Sequence, residues 1–296
     1  MSEVVIQDHH TVAHFGDLQP PAAKVDQGQV FSVHTRDRFA ALATGATVDK
    51  AHVRRLVGPV HITGVEPGDV VRVDVLDIVP RTGIGYLLAS PGYGILGETV
   101  ETRVRPVQLS AEQVQLTDDV CVKAQPMIGK LGLTSAQSDY PQPIGSYGGA
   151  FSTVLFGINA SVLLRATTSG GNLLLEDVHA LMGDGEATAS AVEMAATVRL
   201  RCSVFTTSLD QQDDTALPLP LLLNTEHVCL FASGHSADEA LLAATERAIK
   251  LLMTHRQVDR TEAALLVGAA VDTQVSFLGA RPVVARACVP RALTAL

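Results

Sequence analysis

The sequence predicts an α+β, predominantly β protein. Residues 1–150 read as a β-sandwich or barrel-like N-terminal part with Gly/Pro-rich loops, and residues 151–296 as a C-terminal α+β part carrying two helices. Three observations lead there. Apolar and polar residues alternate with period two in the first half, turn residues are frequent between those runs, and helical spacing with capping residues occurs only late in the chain.

The elements follow in order. Val30-Phe31-Ser32-Val33-His34 partly alternates and reads as a strand. Gly58 to Gly64 alternates more clearly, with Val60 and Ile62 on one face and His61 and Thr63 on the other. Glu66-Pro67-Gly68-Asp69 is a turn signal, because proline presets φ at the second position and glycine allows positive φ at the third. Val71, Val73 and Val75 then share a face, which predicts a half-buried hairpin with the preceding strand. From Pro80 to Gly149 only short strands are expected, such as Val104–Leu109 and Val120–Ala124, joined by long loops. Val198–Phe205 is a further alternating strand.

Two helices come last before the final strands. Ser236-Ala237-Asp238-Glu239 is a capping box, and Leu241, Ala244, Ala248, Leu251 and Leu252 behind it form a stripe at helical spacing. Asp259-Arg260-Thr261-Glu262 starts a second helix in the same manner. Val271–Leu278 and Val283–Val289 read as closing strands.

Composition excludes several classes. Hydrophobic residues make up 47% of 296 residues and charged residues 18%, so the chain can bury a large core. A net charge of −9 without any basic cluster argues against nucleic acid and against an anionic membrane surface. No apolar run approaches the roughly 18–20 residues of a membrane span. MSEVVIQDHH lacks the basic start and apolar run of a signal peptide, so a cytoplasmic protein is expected. Cys121, Cys202, Cys229 and Cys288 are widely spaced and read as reduced, mostly buried small hydrophobes. With little charge to spare on its surface, the chain is expected to form a homo-oligomer.

The chemistry concentrates in LLLEDVHALMGDGEATASAVEMA, Leu173 to Ala195. In an extended segment side chains two apart point the same way, so Asp177 and His179 form one pair and Asp184 and Glu186 another. Gly183 and Gly185 let the chain turn sharply between the pairs. Unpaired carboxylates facing an apolar interior are costly, and a divalent metal would make their crowding tolerable. Asp-x-His with a nearby carboxylate offers oxygen and nitrogen ligands suited to zinc, and a third ligand has to come from elsewhere, with His34, Asp37 and His61 as candidates. On spacing alone, Gly-Asp-Gly is equally an ordinary turn and Glu193 a surface acid.

The run Asp177-Val178-His179-Ala180-Leu181-Met182-Gly183-Asp184-Gly185-Glu186, followed by Glu193, resembles the signature of the acetamidase/formamidase family. Gly58 to Asp69, Pro126-Met127-Ile128-Gly129, Gly148-Gly149 and Asp272-Thr273-Gln274 leading to Pro290 agree in order across nearly the whole chain. The resemblance implies a mostly β fold with a later α+β portion, a bound divalent metal, and hydrolysis of small aliphatic amides to ammonia and a carboxylate. Three places depart from it: Glu176 stands where the family has Gly before Asp177, and two segments differ. Tyr147-Gly148-Gly149-Ala150-Phe151-Ser152 stands where the family has His-Gly-Gly-Asn-x-Asp, and Val33-His34-Thr35-Arg36-Asp37 where it has Phe-Glu-Thr-x-Asp.

The expected function is metal-assisted hydrolysis of a small amide C–N bond. Asp177, His179, His34 and Asp37 are the expected ligands of a divalent ion, zinc first and calcium second. Glu186 is the expected general base and Asp184 its orienting partner, and Tyr147 with the amides of Gly148 and Gly149 would meet the developing oxyanion. Ser152 and Glu193 complete the expected substrate contacts. The alternatives are a hydrolase of a bulkier or cyclic amide and a non-catalytic relative that binds a small ligand in the same cavity.

Overall fold

The computed structural model describes residues 3–44, 55–136, 144–206, 217–279, 281–294 and 296. Two large sheets form the body of the fold, with two long helices late in the chain. The first sheet has nine strands in the order Val4–Ile6, Val30–His34, Ala196–Val204, Val70–Pro80, Ser161–Arg165, Leu221–Leu223, His227–Gly234, Val283–Pro290 and Asp272–Phe277. The second has twelve, and its central strand is Leu173–Leu181. Flanking that strand are Met127–Leu133 and the short Val192–Glu193, and Leu56–Ile62 pairs with its N-terminal half. Both sheets draw strands from either side of residue 150, so a division there cuts through each of them.

The main core lies between the sheets. Val33, Val71, Val73 and Val162 of the first sheet and Ile128, Leu131, Leu175 and Val178 of the second belong to one buried cluster. Phe151 sits within it, meeting Phe156 and Phe231 edge-on at 5.0 Å between ring centroids in each case. A second core covers the other face of the nine-stranded sheet, where Leu163, Leu230, Ala285 and Ala287 pack with Ala240, Ala244, Leu251 and Leu252 of the helix Ala237–Arg256. The first sheet is thus covered on both faces. That explains the unbroken apolar run of Ser161–Arg165, in which Val162 and Leu164 join one core and Leu163 the other.

The helix starts follow the capping residues. Ser236 Oγ accepts the Glu239 amide at 3.2 Å, while the Glu239 carboxylate takes the amide of His235, one residue earlier than the box pattern implies. Asp259 accepts from the Glu262 amide at 2.9 Å to begin Arg260–Ala270. The expected hairpin around Glu66–Asp69 is corrected. Its turn forms, with the Asp69 amide donating to the Glu66 carbonyl at 3.1 Å, but its strands Leu56–Ile62 and Val70–Pro80 belong to different sheets. They face each other across the main core and do not share an edge. Alternation reports which side chains point inward and is silent on which strand lies alongside.

Candidate metal centre and active site

Leu173–Leu181 is buried along all but its last residue, and the acids of this run lie inside the protein. The sheet register decides which groups meet. His179 stands directly opposite Glu193 on one neighbouring strand and Met127 on the other. Side chains opposite each other share a face, so His179 and Glu193 are brought together by pairing alone. Asp177 joins them from two residues upstream, and its φ of +70° places it in the left-handed region, a strained backbone of the kind found at functional sites.

The result is a compact group. His179 Nε2 lies 3.1 Å from Asp177 Oδ1 and 3.2 Å from Glu193 Oε1, and all three side chains are at most 3% exposed. One ligand atom from each falls within 4.8 Å of the others. A tetrahedral ion with bonds of about 2.0–2.1 Å would hold neighbouring donors about 3.3 Å apart, so this donor set fits a divalent ion of zinc's size. His179 Nδ1 is buried with no hydrogen-bond partner, which leaves Nε2 as the nitrogen engaged with both carboxylates.

Close approach here requires glycine at position 129. A Cβ on Gly129 would lie 2.7 Å from the Asp177 carbonyl oxygen and 3.0 Å from its carboxylate. Around the group stand two cations. Arg38 contacts Asp177 Oδ1 and lies 3.9 Å from Glu193 Oε1, and Lys130 Nζ is 2.9 Å from Asp177 Oδ2. Burial works to raise the Glu193 pKa, but the adjacent His179 and then Arg38 outweigh it and hold the carboxyl below its ordinary value.

A second acidic shell lies beside the first. Glu176 is wholly buried, and burial pushes its pKa up to about 7 against the pull of Arg36, whose guanidinium is 3.6 Å away. Asp37 is raised to about 7 by burial, with the charge of Glu193 adding to the shift. Its Oδ1 accepts the amides of Phe39 and Ala40, and its Oδ2 has no partner. His34 is turned elsewhere: its Nδ1 lies 3.3 Å from Gln7 Oε1, and burial and Arg81 lower its pKa. Among the described residues, the acid whose oxygen lies with the Asp177 and His179 donor atoms, in a group that could hold an ion, is Glu193.

The glycine turn carries the other expected pair. Glu186 is buried, has φ +38°, and its Oε2 lacks a partner. Asp184 is tied down: Arg286 donates to its Oδ2 at 2.6 Å, and Thr153 Oγ and the Val154 amide approach its Oδ1 at 3.4 Å. Arg286 also donates to Gln274 and, at 3.1 Å, to Ser276. Ser152 is buried at φ +38° with an unpartnered hydroxyl, and its amide donates to the carbonyl of Gly129. Tyr147 packs on Phe15, with centroids 5.8 Å apart. Gly148 and Gly149 lie in a short strand opposite Gly132 and Leu131, and a Cβ on Gly148 would meet the Leu131 carbonyl at 2.4 Å. Sheet packing accounts for glycine at that position.

Sequence reasoning missed Arg38, Lys130 and Arg286. A signal for two of them exists. Lys130 is the one charge in Met-Ile-Gly-Lys-Leu-Gly-Leu, and Arg286 the one charge in Val-Val-Ala-Arg-Ala-Cys-Val. A lone cation in a buried run needs an acid from elsewhere in the chain, and here the partners are Asp177 and Asp184.

Fold and centre together define a class: a two-sheet β protein with late helices and a buried carboxylate–imidazole group on a central strand. The chain belongs to the acetamidase/formamidase family, whose model matches residues 4–139 and 156–291. Over 98% of its length it is similar to the crystal structure of an acetamidase from Bacillus halodurans, with 26% identity, a TM-score of 0.88 and 98% of that chain covered. A predicted acetamidase/formamidase from Thermoanaerobacter tengcongensis is also 26% identical over 98% of this chain and 96% of that one, with a TM-score of 0.88. An acetamidase from Yersinia enterocolitica, at 21% identity, TM-score 0.83 and coverage of 100% and 94%, shares the fold. No curated protein matches the sequence. Among the described residues, no helix is long and apolar enough to cross a membrane.

Proposed function

We propose that the chain hydrolyses the C–N bond of a small amide, releasing ammonia or an amine and a carboxylate, at the Asp177–His179–Glu193 centre. The observation that carries this reading is the convergence of three buried donors from two paired strands of an acetamidase/formamidase family member. Asp177, His179 and Glu193 would hold a divalent ion, zinc before calcium given the imidazole. Such an ion supplies carbonyl polarisation and an acidified water.

The remaining work falls to the protein. Glu186 Oε2, buried and unpartnered, is suited to accept the proton of the attacking water and to deliver it to the leaving nitrogen, which must be protonated to depart. Ser152, with its free hydroxyl one hydrogen bond removed from Gly129, is suited to bind the amide oxygen. Asp184 is the tether that fixes the glycine turn through Arg286, and so sets the position of Glu186 two residues on. The buried surroundings exclude bulk water from the reacting atoms. The same reading has the chain act in the cytoplasm as a homo-oligomer, with neither nucleic acid nor membrane as partner.

The test is elemental analysis of the purified protein together with ammonia release from formamide, acetamide, and bulkier or cyclic amides. Asp177→Ala and His179→Ala should each lose bound metal and turnover together, whereas Glu186→Gln should keep the metal and lose turnover. Full activity in Asp177→Ala refutes the mechanism. A second reading, a ligand-binding relative without catalysis, is favoured by the two protein cations on Asp177, and absence of both bound metal and ammonia release from any amide would support it.

A further inference from the structure

The centre contains its own counter-charges. Two carboxylates, Asp177 and Glu193, face two cations, Arg38 and Lys130, so the group is formally neutral through protein charges alone. Arg36 is not part of this balance, since it is engaged with Glu176. Adding a divalent ion to such a buried group places it beside two like charges, whose repulsion is strong where water is scarce.

Both cations can yield. The Arg38 side chain is 12% exposed and that of Lys130 26%, so both reach the surface in part, unlike Asp177, His179 and Glu193. In this same position the Arg38 guanidinium carbon lies 5.8 Å from the centroid of the Phe39 ring, a contact that does not depend on Asp177. Lys130 sits on Oδ2 of Asp177, the oxygen that does not face His179, while Arg38 sits on Oδ1, the oxygen that does.

We propose that Arg38 competes directly with a divalent ion for Asp177 Oδ1 and Glu193, with Lys130 opposing the ion from the far oxygen, so that these two residues set the metal affinity of the centre. The inference rests on the metal-binding reading of Asp177, His179 and Glu193. Arg38 is a positioning residue that holds the carboxylates together in the metal-free protein and must leave Oδ1 when the ion arrives. Removing it has opposite effects on the two states, which distinguishes it from a structural arginine.

The test is calorimetric titration of zinc into the chelator-stripped full chain, with thermal unfolding of the metal-free protein alongside. Arg38→Gln should bind zinc at least tenfold tighter than wild type while unfolding at a lower temperature. Lys130→Gln should bind tighter by a smaller factor, Arg38→Lys should stay near wild type, and His179→Ala should not bind. Zinc bound by Arg38→Gln alone also supports the competition, in its extreme form. Equal or weaker affinity in Arg38→Gln overturns it and leaves the metal reading standing. Absence of binding in wild type and in both charge-removing variants overturns the metal reading, and the competition with it. Should Arg38→Gln fail to fold, Lys130→Gln and Arg38→Lys carry the same comparison.

Discussion

At the scale of single residues, the centre shows how little side-chain volume the site tolerates. Gly129 lies against the backbone and carboxylate of Asp177, so Gly129→Ala forces the carboxylate off the group it makes with His179. We expect that substitution to cost about 1–3 kcal/mol in urea denaturation and to abolish zinc binding in titration. Glu176 makes a prediction about pH. Its pKa rises from 4.5 to about 7 on folding, so the native state holds a proton that the unfolded chain has released. The associated stability is fully present below about pH 4.5 and is lost as pH rises through 7. Glu176→Gln keeps an oxygen for the Arg36 amide and has no proton to lose. Its thermal midpoint should therefore fall less than wild type's between pH 5 and 8, and parallel curves would show that Glu176 is ionised throughout. That Asp177 and His179 share a face was legible from their spacing, and the fold brings them to 3.1 Å. The meeting of Glu193 with His179 was not legible, because it depends on strand register.

At the scale of elements, the strand Leu173–Leu181 and the turn after it are held by different means. The strand has neighbours on both sides along most of its length. The turn depends on Asp184 and the buried Arg286, which belongs to a strand of the other sheet. Asp184→Ala leaves that guanidinium with Gln274 and Ser276 alone, which should cost about 2 kcal/mol in denaturant titration. Limited proteolysis should cut the variant first between residues 183 and 189, and an unchanged cleavage pattern would show that the turn is held elsewhere. The helices were readable to within a residue or two because capping is local. The pairing around Glu66–Asp69 was not readable, since a turn sequence fixes a reversal of direction and leaves open whether the strands meet edge to edge or face to face.

At the scale of the whole molecule, the centre links segments far apart in the chain. Arg38 follows an early strand of the nine-stranded sheet, while Lys130, Asp177, His179 and Glu193 come from three strands of the other. An ion binding there acts on the global stability, because it binds the native arrangement and the unfolded chain has no such cluster. At a hundredfold excess of zinc over its Kd the native state should gain about 2.7 kcal/mol, read as a raised unfolding temperature. His179→Ala should show no such rise. A rise of the same size in that variant would place the ion away from this centre.

The predominantly β class, the two capped helices, the apolar character of the core and the family could all be read before any fold was known, because periodicity, capping and motif are written in neighbouring residues. The tertiary arrangement settled that strands joined by a tight turn enter different sheets, that Glu193 meets His179, and that Arg38 and Lys130 stand against Asp177 while Arg286 stands against Asp184. The physical reason is the same in each case. A buried charge takes its partner from whichever strand the register brings opposite, and register is settled by burial of the whole sheet.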